Sequence, residues 1–207
     1  CPKCGSDGDE STECPRCEVD IVPYKNSNID IKLALEEALE TLNETHSSFN
    51  KLKGVKRLSS ESRIPEPIEK GILRATHDID VFRDGTSRFD MMDLPLTAFK
   101  AEDIDVDIEE LHNLGYTKGM DGSELEDEHQ LVEILPQDLI LSERCGDYLL
   151  RVAKFIDELL VGYYDLEPFY QAEHRDDLIG ESILGLAPHT SAGVLGRIIG
   201  FTDAAAN

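Results

Sequence analysis

The chain contains no tryptophan and 3 methionines, and aromatic residues make up 6% of its 207 residues. Basic residues are scarce as well, because 20 lysines and arginines stand against 43 aspartates and glutamates, which gives a formal net charge of −23. Long hydrophobic runs are missing: the stretch 178–201 is broken by charged residues and a proline, and so falls short of the ~18 apolar residues of a membrane span. We therefore expect no membrane partner and a soluble protein of the cytoplasm.

The acidic residues are spread through every segment and are not gathered in a tail. An acidic coat of this kind fits a salt-rich cytoplasm, where the Debye length falls to ~3 Å at 1 M salt and self-repulsion is screened. The negative charge consequently does not exclude a nucleic-acid partner. With 40% hydrophobic residues, the chain is long enough to bury one substantial core and a small satellite.

Cysteines near the start of the chain give the strongest chemical signal. Of the 5 cysteines, 4 form two Cys-x-x-Cys pairs, Cys1 with Cys4 and Cys14 with Cys17. Each pair predicts a tight knuckle, and four thiolates from two knuckles predict one tetrahedral zinc site with sulfur ligands at ~2.3 Å. The basic side chains inside the pairs, Lys3 and Arg16, partly offset the double negative charge of such a centre.

Three other interpretations of the cysteines and of the chain ends are disfavoured. Two disulfides would fit a secreted protein, but no signal peptide is present. A thioredoxin-type redox pair would follow a strand, and nothing apolar precedes Cys1. An intein also begins with Cys and ends with Asn, yet splicing needs a His before the terminal Asn207, and this chain has Ala206 there. A start at Cys suggests instead a piece of a longer polypeptide.

Hydrophobic periodicity predicts helices and strands along the rest of the chain. Helices are expected at 31–42, entered at Asp30, at 104–114, closed by Gly115, and at 142–161. Strands are expected at 80–83 and 87–91, joined at Asp84–Gly85, and at 130–141, broken at Pro136. Residues 120–128 should form an exposed loop, and Cys145 is most simply a small core residue.

The segment 51–63 is basic in a chain that is otherwise acidic. Its cationic side chains are Lys51, Lys53, Lys56, Arg57 and Arg63, against the single acid Glu61. A solvated loop that balances neighbouring acids is one interpretation. The other is a DNA contact, because Gly54 and the Ser59–Ser60 pair let the backbone approach phosphates closely.

The segment 179–201 is rich in glycine and holds a Pro-His-Thr-Ser-Ala-Gly turn at 188–193. Small residues with hydroxyl and imidazole groups at a turn let a backbone come close to a phosphate. Glycines that allow close packing of strands explain the same composition equally well. Neither a P-loop nor a Ser-His-acid constellation can be assigned, so the motifs support neither a P-loop nucleotidase nor a hydrolase.

Several blocks of the chain resemble the large subunit of archaeal DNA polymerase D, in a haloarchaeal version. They include Pro-Glu-Pro-Ile-Glu-Lys-Gly-Ile-Leu-Arg-Ala at 65–75, Asp-Gly-Thr at 84–86, Arg-Phe-Asp at 88–90, Asp-Leu-Pro-Leu-Thr at 93–97, Leu-Ala-Pro-His-Thr-Ser-Ala-Gly at 186–193 and Gly-Arg-Ile-Ile-Gly-Phe at 196–201. The similarity covers essentially the whole chain, zinc knuckles included.

The resemblance implies a replicative DNA polymerase of two subunits, whose small subunit carries a 3′–5′ proofreading exonuclease of the phosphodiesterase type. It implies a catalytic core of two double-psi β-barrels, Mg²⁺ in the complete enzyme and a DNA primer-template as partner. The family's aspartate-rich metal motif is not found in this chain, so we expect an internal fragment without catalytic residues of its own and inactive alone. Whether the zinc module contacts DNA, the small subunit or a sliding clamp stays open.

The expected fold is α+β: a four-cysteine zinc module at 1–24, a helix and basic linker at 25–63, a mixed region of helices and β-hairpins at 64–141, and at 142–207 a long helix leading into part of a double-psi barrel. Lys51, Lys53, Lys56 and Arg57 are the candidate DNA contacts. His189 and Arg197 are candidates for proximity to the active site, with a structural hydrogen bond as the alternative for each. A free-standing zinc-ribbon interaction module without enzymatic activity is the alternative function.

Overall fold

The computed structural model describes residues 1, 3–4, 13–21, 28, 30–45, 49–53, 66–81, 87, 89–90, 95–187 and 192–203, with the side chains at 185–187, 192 and 194 excepted. The chain divides into two compact units, Cys1–Glu37 and Ala38–Asn207. The turn predicted at Asp84–Gly85, most of the basic segment and the His189 turn lie outside the described residues.

Two helices predicted from periodicity are confirmed, and a polar side chain caps the start of each. Helix α1 spans Ile31–Leu42, and the Asp30 carboxylate before it accepts hydrogen bonds from the backbone amides of Lys32 and Leu33, both at 3.1 Å. The long helix α5 spans Glu143–Gly162. It follows Ser142, whose hydroxyl accepts a hydrogen bond from the Cys145 amide at 3.2 Å. Both side chains satisfy amides that have no partner inside the helix.

Three shorter helices lie between them: α2 (Ile68–Thr76), α3 (Ala101–Ile104) and α4 (Ile108–Leu114). The single helix expected at 104–114 is therefore wrong, although its end at Gly115 is confirmed. Asp105 takes a left-handed conformation with φ 52°, which an Asp tolerates better than most residues, and it ends α3. The break lets both Ile104 and Val106 enter the same buried cluster.

The strands form two small sheets. In the first, β1 (Ala98–Phe99) pairs antiparallel with β2 (Val132–Glu133). The second has the order β3–β5–β4, built from β3 (Asp138–Leu141), β4 (Ser182–Ala187) and β5 (Ala192–Phe201). Strand β5 runs parallel to β3 and antiparallel to β4. The predicted interruption at Pro136 is confirmed, because β2 ends before it and β3 begins after it.

Of the hairpin expected at 80–91, the structure describes the antiparallel bridge between Val81 and Ser87. Lys118, just before the loop predicted at 120–128, forms an antiparallel bridge with Glu124 inside it. The loop is exposed except at Leu125, which is 1% exposed and belongs to the core.

Three buried clusters hold the unit Ala38–Asn207 together, and α5 takes part in two of them. One face of α5 packs Tyr148, Phe155 and Leu159 against Leu73 of α2. Another face packs Cys145 and Ala153 against Ile198 and Phe201 of β5. Ile199 faces the opposite way, into the third cluster with Leu111 and Val132. Residues 198–201 of β5 are thus covered on both sides, which explains their apolar character, whereas Leu195 earlier in the strand is 57% exposed.

Two glycines of β5 are required by close approach. A Cβ added at Gly200 would lie 2.9 Å from Cδ1 of Ile104, and one added at Gly196 would lie 2.7 Å from Cγ of Leu139. At these two positions the packing interpretation of the glycine-rich segment accounts for the residue type. The mixed α+β architecture is confirmed, and the described part of the chain holds no helix with the length and apolar character needed to cross a bilayer.

Candidate metal centre

The second cysteine pair lies in a tight knuckle closed by backbone hydrogen bonds. The carbonyl oxygen of Cys14 accepts from the amides of Cys17 at 3.2 Å and Glu18 at 2.9 Å, and the amide of Cys14 donates to the carbonyl of Val19 at 2.9 Å. Glu18 takes a left-handed conformation with φ 53° where the chain turns back. The knuckle therefore places the thiols of Cys14 and Cys17 on the same side of one turn.

The four thiols of the two pairs meet in one place. Their sulfur atoms all lie within 4.8 Å of one another, and those of Cys4 and Cys14 are 3.6 Å apart. A tetrahedron with metal–sulfur bonds of ~2.3 Å has edges of about 3.8 Å, so the spacing suits a single ion. It is too long for a sulfur–sulfur bond of ~2.05 Å, and none of the five cysteines forms a disulfide.

The neighbouring cysteines disfavour the thiolate form of Cys17. Hydrogen bonding with Cys4, followed by burial and the charges of Cys4 and Cys14, raises the pKa of Cys17 to about 11. The amide of Lys3 donates to the sulfur of Cys1 at 3.4 Å, which stabilises negative charge there. A divalent ion would remove the mutual repulsion of the sulfurs, since it interacts favourably with all four.

The donor set indicates what the centre can do. Four cysteines near one another could hold a metal ion, and a sulfur-only set of this kind leaves no open coordination position for a substrate. Cys14 is 1% exposed, whereas the neighbouring Lys3 and Arg16 are exposed. Such a closed, partly buried centre is suited to structural support of the chain around it.

The described part of the basic segment is 51–53. Lys51 is exposed, and the ammonium of Lys53 donates to the carbonyl oxygen of Val81, which belongs to the same buried cluster as Leu73. Lys53 therefore has a structural contact within its own unit, while Lys51 extends into solvent. Lys56 and Arg57 lie outside the described residues.

Arg197 is held by a carboxylate on the neighbouring strand. Its Nε and Nη2 donate to the two carboxylate oxygens of Asp138 at 3.0 and 2.6 Å, across the parallel pairing of β5 with β3. The Tyr116 hydroxyl donates to the same carboxylate at 2.6 Å and accepts from the Leu135 amide at 3.1 Å. Hydrogen bonding to Asp138 raises the pKa of Arg197, so the guanidinium is always charged.

This arrangement agrees with a structural role for Arg197, because its bidentate fork is occupied by a side chain that is 4% exposed. The side chain of Arg197 is still 31% exposed, at a depression of about 280 Å³ that is also lined by Gln137, Ser182 and Leu195. His189, the other candidate for the catalytic centre, lies outside the described residues.

No motif in the sequence marks Asp138 or Tyr116 as a partner of Arg197. The sequence signal for Asp138 is weak, because it consists of one acid at the first position of a short apolar strand. Its partner, Arg197, is 59 positions away along the chain. Burial, with the hydrogen bond to Asp138 as the next cause, raises the pKa of Tyr116 far above its usual range, so the hydroxyl stays a donor.

Comparison with known proteins extends along the whole chain. Residues 44–207 match the family model of the DNA polymerase II large subunit DP2, catalytic domain. Proteins named DNA polymerase II large subunit are similar over nearly all of the chain: one from Haloarcula marismortui is 48% identical over 209 residues and one from Archaeoglobus fulgidus 51% over 203 residues, covering 99% and 98% of this chain. One from Pyrococcus horikoshii is 48% identical over 210 residues, again covering 99%.

These relatives are much longer than this chain. The chain spans 15%, 18% and 14% of the Haloarcula, Archaeoglobus and Pyrococcus proteins, respectively. The cysteine cluster precedes the segment that the family model matches, but it falls within the region shared with these proteins.

Proposed function

Because the chain belongs to the family of DNA polymerase II large subunits, we propose that it works as part of the catalytic large subunit of a template-directed DNA polymerase. The observation that carries the proposal is the similarity over nearly the whole chain at 48–52% identity, with relatives from distant archaea. A free-standing zinc-ribbon module would share only the cysteine region, whereas the match continues through the core of α2, α5 and β5.

The finer proposal is a replicative polymerase of the D family, with a separate small subunit for proofreading. We propose that the sheet β3–β5–β4 is part of a double-psi barrel of the catalytic core. The strongly acidic composition, −23 for 207 residues, supports a haloarchaeal cytoplasm as its location. Since the chain spans less than a fifth of its relatives' length, polymerisation is proposed for the complete polypeptide and not for this part alone.

The metal proposed for the four-cysteine centre is zinc in a structural role. Zinc accepts four thiolates in tetrahedral geometry, and the sulfur spacing within 4.8 Å fits this arrangement. In the complete enzyme, Mg²⁺ would neutralise charge on the transferred phosphates during nucleotidyl transfer. We propose that carboxylates elsewhere in the large subunit hold it, and we assign no residue of this chain to it.

For DNA, we propose that Lys51, Lys53, Lys56 and Arg57 lie along the backbone of the primer-template. Exposure of Lys51 supports this directly. Lys53 would have to share its ammonium between a phosphate and the carbonyl of Val81, so we expect Lys51 to contribute more. We propose His189 and Arg197 as candidates for proximity to the catalytic centre. There, the guanidinium of Arg197 would contact a phosphate while its Nε and Nη2 donate to the carboxylate of Asp138.

Primer extension by the complete two-subunit enzyme tests the function. The variant Lys51→Glu should weaken primer-template binding for all sequences alike and reduce the slope of log affinity against log salt by about one. Lys32→Glu is the matched control, because that lysine is also exposed (85%) but lies outside the basic segment. Absence of template-dependent extension by the unmodified enzyme would refute the polymerase proposal, whereas an unchanged slope in Lys51→Glu would refute only the DNA contact.

A further inference from the structure

A loop rich in aromatic residues follows α5 and holds apolar side chains in solvent. This loop, residues 163–171, is called the aromatic loop here. Its exposed apolar members are Tyr163 (36% exposed), Tyr164 (49%), Leu166 (57%) and Phe169 (68%). Val161, in the last turn of α5, is 51% exposed beside them in sequence. Neighbouring exposed apolar residues of this number mark an interaction surface more often than chance exposure.

The aromatic loop is held firmly, so its exposure is a property of the fold. The Asp157 carboxylate, on α5, accepts from three successive backbone amides: Phe169 at 2.7 Å, Tyr170 at 2.9 Å and Gln171 at 2.6 Å. The amide of Leu166 donates to the carbonyl of Leu160 at 2.9 Å. Beyond the loop, Ala172 is 6% exposed and packs in the core with Leu178. A preorganised apolar surface loses little entropy when a partner binds.

The charged side chains within the aromatic loop are acidic, and a cation, Lys154, lies at its end, where its ammonium donates to the carbonyl oxygen of Glu173 at 3.3 Å. Residues 155–173 contain no lysine or arginine, and the exposed acids Asp165, Glu167 and Glu173 lie in or next to the loop. Base stacking on aromatic side chains is normally accompanied by a basic groove that binds the phosphates, and residues 155–173 supply no lysine or arginine for one. A second copy of the loop in a two-fold contact would place the same acids opposite one another and would offer them no basic partner.

We propose that the aromatic loop is the docking surface for a segment of the same large-subunit polypeptide, outside residues 1–207, that carries basic residues around apolar anchors. This inference rests on the proposed function, because it requires the chain to be part of a polypeptide as long as its relatives. The chain spans 14–18% of the length of those relatives. A segment of the same polypeptide is present at high effective concentration, which suits a rigid, preformed surface. Basic residues complement the acids, and apolar anchors cover Leu166 and Phe169.

Site-specific photo-crosslinking in the complete two-subunit enzyme tests the proposal. The probe is p-benzoylphenylalanine in place of Phe169, with the crosslinked peptides identified by mass spectrometry. The matched control carries the probe at Leu131, which is 47% exposed and lies outside the aromatic loop. The expected result is a crosslink to a lysine- and arginine-rich peptide of the large subunit, with a yield about tenfold above the control because the docked segment is held in place.

Each other outcome overturns the proposal: a yield equal to the control, or a crosslink to the primer-template, to the small subunit, to the same loop in a second copy, or to an acidic peptide. The variant Glu167→Lys, measured with the same probe, should lower the yield about threefold at low salt, and an unchanged yield would refute the charge complementarity. Primer extension by the same preparation separates the hypotheses, because an active enzyme without the crosslink refutes docking alone.

Discussion

The two units of the chain are stabilised in different ways. In Cys1–Glu37, the described apolar residues that are buried are Cys14 and Ile21. In Ala38–Asn207, three apolar clusters surround α5 and β5. The apolar burial of these described residues is too small to offset the conformational entropy of folding, so we expect the first unit to depend on a bound metal. The larger unit should need no metal, and this contrast can be tested from both sides.

The largest expected effect is on the first unit when its metal is removed. Replacing Cys14 by Ser, or adding a chelator, should abolish protection of the amides of Cys17 and Glu18 from hydrogen exchange, because roughly 10 kcal/mol of metal-binding free energy is lost. The helix α5 should keep its protection, since its packing is apolar. Metal analysis of the unmodified protein should give one zinc per chain.

The matched control for this prediction is Cys145→Ser. Cys145 is also buried, at 4% exposed, but it packs with Leu141 and Ile198, and burial raises its pKa to about 11. This variant should keep its zinc and destabilise only the larger unit. If Cys14→Ser kept one equivalent of zinc, or if chelation unfolded α5, the contrast between the units would be wrong.

Much of this contrast could be predicted from local sequence. The spacing of Cys1, Cys4, Cys14 and Cys17 depends only on short turns, and the structure brings the four sulfurs together. Helices α1 and α5 each have a capping residue and a continuous apolar stripe, so the sequence predicts the bounds of both within one residue at each end. Local signals suffice where the structure is determined by neighbours along the chain.

What could not be predicted depends on contacts between distant residues. Arg197 meets Asp138 only because β5 pairs in parallel with β3, a register that neither strand determines alone. The helix expected at 104–114 is broken at Asp105 because Ile104 and Val106 both pack in the core, and that packing overrides local helix propensity. The aromatic loop is likewise ordered by Asp157, 12 to 14 positions earlier.

The second prediction concerns the pairing of Arg197 with Asp138 in the larger unit. Replacing Asp138 by Ala leaves the guanidinium without its carboxylate and Tyr116 without its acceptor, which should cost about 3 kcal/mol of unfolding free energy. Chemical denaturation followed by circular dichroism measures the loss, and zinc content should not change. In a double-mutant cycle with Arg197→Ala, additive effects would show that the two side chains do not interact.

A somewhat smaller effect is expected from Gly200→Ala. The added Cβ would lie 2.9 Å from Cδ1 of Ile104 in a cluster that is fully buried, so the core must shift at a cost of about 2 kcal/mol. The combined variant Gly200→Ala with Ile104→Val removes the contacting methyl group and should recover part of the loss. No recovery would mean that the two residues do not pack as described. Zinc binding again serves as the readout for the first unit.

The smallest expected effect is a pH dependence caused by Glu66 in the larger unit. Burial is the largest single influence and raises the pKa of Glu66, but the hydrogen bond and charge of Arg74, with a contribution from Lys70, outweigh it and leave the pKa below its usual value. Arg74 donates to the carboxylate at 2.7 Å, and its side chain is 4% exposed. Folding therefore favours the ionised carboxylate.

A lowered pKa in the folded state means that this stabilisation is fully present above the unfolded pKa of about 4.5 and is lost as the pH falls through the folded value. Glu66→Gln should accordingly be less stable than the unmodified protein at neutral pH, and the difference should shrink as the solution is acidified below that point. Glu109→Gln, which removes a carboxylate at an exposed position of α4, is the control. Denaturation followed by far-UV circular dichroism measures the difference, because most of the helical residues belong to the larger unit. A difference for Glu66→Gln that stays constant down to acidic pH would show that the pairing with Arg74 does not depend on ionisation of the carboxylate.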